Sequence, residues 1–65
     1  MKYITLWLPR DSGISLSDLP KSARFQVVMY CGLADHNEIK LQLMDGTDFA
    51  DFAEFEQYIV RKEEK

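Results

Sequence analysis

The chain has one cysteine, one histidine, two prolines and three glycines in 65 residues. A single Cys31 excludes an intramolecular disulfide. Cys31 and His36 together fall short of the four ligands of an all-Cys/His zinc site. No apolar run is long enough to cross a bilayer, and Tyr3–Leu8 is too short for a signal peptide and ends in Pro9 and Arg10. The expected location is therefore cytoplasmic, in a reducing compartment. Gly13, Gly32 and Gly46 stand apart, so none belongs to a glycine-rich phosphate loop; each is read as a turn residue. Ser12, Ser15, Ser17 and Ser22 have no nucleophile-elbow context. His36 is expected in a polar turn, and Cys31 as an inert residue packed in the core. No cofactor, no metal and no enzymatic activity are expected.

Basic charge is also scarce. The net charge is −3, divided as +2 over residues 1–33 and −5 over residues 34–65. That balance disfavours nucleic acid as a partner. A hydrophobic fraction of 46% disfavours disorder, and the length allows one domain, residues 1–65.

The longest apolar stretch, residues 24–32, is rich in β-branched and aromatic residues and is read as the central strand of a sheet. Residues 2–8 alternate, with Ile4, Leu6 and Leu8 on one face and Tyr3, Thr5 and Trp7 on the other. Residues 38–44 alternate as well, directing Ile39, Leu41 and Leu43 inward and forming an antiparallel hairpin with the strand before. In the central strand, Phe25, Val27, Met29 and Cys31 are assigned to the inner face, and Gln26, Val28 and Tyr30 to the outer. Residues 10–22 form a loop, from which Ile14, Leu16 and Leu19 reach the core. Asp45-Gly46 marks a tight turn, after which 47–49 is a candidate short strand. Asp51 and Glu54 suggest a capping box for a helix over 51–62 that buries Phe52, Phe55 and Ile59, with Asp48 as an earlier cap. The expected fold is α+β: a three- or four-stranded, mainly antiparallel sheet in β-β-β-α order, with one C-terminal helix on one face.

Two surfaces are candidate binding sites. The first is an acidic patch of Asp45, Asp48, Asp51, Glu54 and Glu56, suited to a protein partner with a basic surface. The ordinary reading of the same acids is capping and solvation of a helix start. They do not match a calcium-loop pattern. The second is an aromatic sheet face of Tyr3, Trp7, Val28 and Tyr30, expected to meet a partner or a second copy in a homodimer; its ordinary reading is cross-strand pairing. In size and acidity the chain is similar to small phage- or plasmid-borne inhibitors, such as anti-restriction, anti-CRISPR and immunity proteins. That similarity implies a non-enzymatic inhibitor or adaptor, a viral protein among the options. The order of three strands followed by a helix is similar to the integrase arm-binding and ethylene-response-factor domains. This implies the alternative of a module reading DNA with its sheet, though the face has few bases for such a role.

Overall fold

Alternation places Ile4, Leu6 and Leu8 on one side of an N-terminal strand, and all three are buried. The computed structural model describes residues 1–65. This strand, β1 (Lys2–Pro9), joins β2 (Phe25–Gly32), β3 (His36–Leu43) and β4 (Ile59–Glu64) in a four-stranded antiparallel sheet of order β2-β3-β1-β4. The arrangement is α+β in its broad sense: an antiparallel sheet plus a small helical element. The core lies on one face, where Ile39, Leu41 and Leu43 of β3 join the β1 residues under Leu19, Phe52 and Phe55. Ile14 also packs against this core, whereas Leu16 lies outside it, 36% exposed.

The expected central strand lies elsewhere. Residues 25–32 form an edge of the sheet, while β1 and β3 occupy its centre. The apolar character of β2 therefore belongs to a mostly exposed strand. Its face assignment also changes midway. Val27 pairs with Leu41 and Met29 with Lys40, which leaves Val28 as an extra, bulged residue. Directly opposite residues share a face, so Phe25 and Val27 point to the core side with Leu43 and Leu41. Beyond the bulge the alternation reverses. Tyr30 opposite Ile39 turns to the core side, and Met29 and Cys31, opposite Lys40 and Glu38, turn away from it. Cys31 is consequently exposed, not packed in the core.

The expected α-helix over 51–62 is replaced by a 3₁₀ helix, Phe49–Tyr58, followed directly by β4. Aromatic spacing explains the choice. Phe49, Phe52, Phe55 and Tyr58 recur every third residue, which stacks them along one line in a helix of three residues per turn. In an α-helix the same spacing would wind the stripe off the sheet. Phe52 sits at a kink (φ −108°, ψ 22°), which breaks the long 3₁₀ run into shorter pieces. The helix starts at Asp48, the earlier of the two expected caps: Asp48 accepts from the Phe49 N–H at 2.7 Å, and Asp51 accepts from the Asp48 N–H at 2.8 Å. The fourth strand is thus 59–64, while 47–49 lies outside the sheet. No helix is long and apolar enough to cross a membrane.

Candidate functional site

With the helical element on one face only, the outer face of the sheet is left uncovered. β1 contributes Tyr3, Thr5 and Trp7; β3 contributes His36, Glu38, Lys40 and Gln42; β4 contributes Arg61 and Glu63. A bulge in β4, between its pairings to Thr5 and Leu6, frees Val60 to lie largely exposed beside them. Thr5, Trp7, Glu38, Val60 and Arg61 surround a shallow hollow at the centre of this face.

Trp7 forms one wall of the hollow. Its ring stacks on His36 with centroids 4.1 Å apart and an interplanar angle of 22°, yet Trp7 remains 45% exposed. The stack covers His36, which is buried rather than solvated as the sequence suggests. The ring edge is fixed by Asp35, whose Oδ1 lies 2.7 Å from Nδ1. The hydrogen bond with His36 and the Asp35 backbone hold the Asp35 carboxyl below the usual carboxylate range. His36 Nε2 is enclosed without a partner. Cys31 shares the outer face with His36 but makes no hydrogen bond to it, so the two do not form a nucleophile–base pair.

Tyr3 is held by its neighbours. Lys40 lies over its ring at 5.1 Å and Lys65 at 6.0 Å. Both lysines also reach Glu63, each at 3.5 Å. Partial desolvation works against ionisation of Glu63, but these two cations outweigh it and keep its pKa lowered. Of the expected aromatic face, Tyr3 and Trp7 lie together on the outer surface. Val28 is exposed at the bulge on the β2 edge, and Tyr30 is on the opposite side, near Leu16 and Ile39.

The acidic patch is largely engaged within the chain. Asp48 pairs with Lys2 at 3.0 Å and Glu56 with Lys62 at 2.7 Å, while Asp51 completes the capping box. Asp45 and Glu54 have no such bond. The Lys2 hydrogen bond and the Phe49 N–H lower the Asp48 pKa.

A separate groove of about 560 Å³ lies where the 10–24 loop meets the start of β2, bordered by Leu16, Leu19, Pro20, Ala23, Phe25 and Met44. Lys21 and Arg24 are its charged members; with no carboxylate or imidazole beside them, it lacks an acid–base pair. No group of three or more His, Cys, Asp or Glu side chains is placed to hold a metal ion. Sequence reasoning missed Val60 and Arg61, because residues 59–62 read as the end of a helix. The signal available was the three-residue aromatic period, which ends at Tyr58. Comparison with protein-family models, curated proteins and solved structures found no match.

Proposed function

We propose that the chain is a non-enzymatic protein-binding module, an inhibitor or adaptor that docks a protein partner on the outer face of its sheet. The observation that carries this reading is the half-exposed Trp7, fixed by its stack on His36 at the wall of an uncovered hollow. A rigid aromatic side chain provides large contact area at low entropy cost and is enriched at binding hot spots. Val60 adds apolar area, and Glu38 with Arg61 supplies charges of both signs for orientation. Asp45 and Glu54, the two acids of the patch without an internal bond, are exposed and available to a basic partner surface. A DNA-reading role fits the face poorly, since Lys40, its central base, is already paired with Glu63.

The test uses photo-crosslinking residues at two positions, Arg61 on the outer face and Glu54 on the helical side. The Arg61 probe is expected to crosslink a protein from the host, and Trp7→Ala is expected to abolish that product without unfolding the chain. Crosslinking of the same partner from Glu54, insensitive to Trp7→Ala, would return the binding site to the acidic segment.

A further inference from the structure

We infer that the β2 edge pairs with the β2 edge of a second copy, antiparallel across a two-fold axis, to make one continuous sheet. The two edges of the sheet differ in character. β4 carries Arg61, Lys62, Glu63 and Glu64, the kind of charge that blunts an edge. β2 carries no charge and no proline from Phe25 to Gly32, and is exposed along nearly all its length. Its free backbone groups can be assigned. The Arg24 carbonyl accepts from the Met44 N–H just past β3, and the Leu33 N–H donates to the His36 carbonyl, so both point inward. Strand alternation, interrupted at the Val28 bulge, then directs the N–H and C=O groups of Phe25, Val27, Tyr30 and Gly32 to the outside.

That set is symmetric about the point between Val28 and Met29. Antiparallel pairing about this point sets Phe25 opposite the partner's Gly32 and Val27 opposite the partner's Tyr30, and the reverse. Every outward group then meets an outward group. An unbulged strand could not do this in the same register, because residues an odd number apart would point opposite ways. Side chains agree as well. Phe25, Val27, Tyr30 and Gly32 all lie on the core side, so both helical elements stay on one face of the joined sheet. The exposed Val27 and Tyr30 become a cross-strand aromatic–β-branched pair, formed twice. At the ends, Lys21 and Arg24 of one copy approach the segment that carries both Asp35 and, on the Leu33 carbonyl at 2.6 Å, Arg10 in the other, so charge there does not select the partner. A second copy is therefore favoured over an unrelated strand: the edge matches itself in hydrogen-bond phase and in face. Closed two-fold pairs are also the commonest assemblies.

A bulge can instead turn an edge away from pairing, and solution measurements separate the two roles. Light scattering over a concentration series is expected to give twice the 7.6 kDa chain mass. Amide exchange in the same samples is expected to be slow at Val27 and Tyr30 and to quicken on dilution. The double substitution Val28→Lys and Met29→Lys sets lysines on either side of the axis; it is expected to halve the mass with an unchanged circular dichroism spectrum. Three results overturn the inference: a single-chain mass at every concentration, a dimer whose Val27 and Tyr30 amides exchange freely, or a monomer whose β2 amides become protected only by an added peptide strand. The wild-type exchange pattern decides the matter even if the double variant does not fold. Trp7→Ala, on the outer face, is expected to leave the mass unchanged, so loss of partner binding and loss of self-pairing remain distinguishable.

Discussion

Asp48 ties three parts of the chain together. Its Oδ1 accepts from Lys2 Nζ of β1 at 3.0 Å and from the Phe49 N–H at 2.7 Å, while its own N–H donates to Asp51. Asp48→Ala removes the helix cap and the tie to β1 together. It is expected to lower the melting temperature by about 4–8 °C, as loss of a cap does in a small domain. Asp51→Ala, which leaves the acceptor at the helix start in place, is expected to cost less; equal losses would mean that the tie to Lys2 contributes nothing. The charge has its own signature. Because the folded carboxyl titrates below its ordinary value of 3.8, its contribution is present above that value and is lost as pH falls through the lower folded pKa. Asp35 and Glu63 are shifted in the same direction. Stability should therefore fall as the pH drops below about 4. Asp48→Asn, which keeps a capping oxygen but no charge, should shallow that fall. At the outer face, Trp7→Ala loses a ring stack and partial burial, and should destabilise by about 1–2 kcal/mol, less than the roughly 3–5 kcal/mol of a core aromatic deletion. Cys31, turned outward by the bulge, should react promptly with a thiol reagent in the folded protein.

At the scale of elements, local pattern and global position are not equally legible. β1 and β3 have the alternation that a sheet with one buried face demands, and both lie where that alternation puts them. β2 reads as central because a continuous apolar run is ordinarily the mark of a strand covered on both faces. Nothing in the composition of RFQVVMYCGL discloses that one neighbour is missing. Nor does it announce the bulge that moves Tyr30 to the core side and Cys31 to the surface. The C-terminal strand is hidden for a different reason. The sequence IVRKEE has the charge density of a solvated helix end, but an edge strand uses charge too. The three-residue period of Phe49, Phe52, Phe55 and Tyr58 distinguishes the two, and the acids at 45, 48, 51 and 54 repeat it. Of the candidate site, Trp7 and Tyr3 follow from alternation in β1 alone; the hollow beside them requires β4. Phe52 is the member of the aromatic line that is fully buried, and it meets Phe25 edge-on at 5.9 Å. Phe52→Ala should cost about 3–5 kcal/mol, enough to leave a domain of this size mostly unfolded at room temperature by circular dichroism.

The whole molecule is closed by its two ends. β1 lies at the centre of the sheet but pairs with no strand adjacent to it in sequence: its neighbours are β3 and β4. The Lys65 N–H donates to the Met1 carbonyl at 2.7 Å, and the Met1 amino group donates to the Lys65 carbonyl. Only β2 and β3 can form as a local hairpin. Setting β1 between β3 and β4 requires closing most of the chain into a loop before those pairings contribute. Rearranging the connectivity tests this directly. Joining Lys65 to Met1 through a short Gly-Ser linker and opening the chain before Gly13 makes β4 and β1 a hairpin. Gly13 is a suitable opening, since it lies in an exposed loop at φ +74° with nothing within 4 Å of an added Cβ. The permuted chain keeps every strand pairing and shortens the β1–β4 closure, so it should fold roughly tenfold faster in stopped-flow measurements. Its unfolding rate should change little, because the sheet and the Phe52 layer that must come apart are the same in both chains. An unchanged folding rate would show that the β2–β3 hairpin and its docking on the Phe52 layer, not the closure of the ends, limit folding.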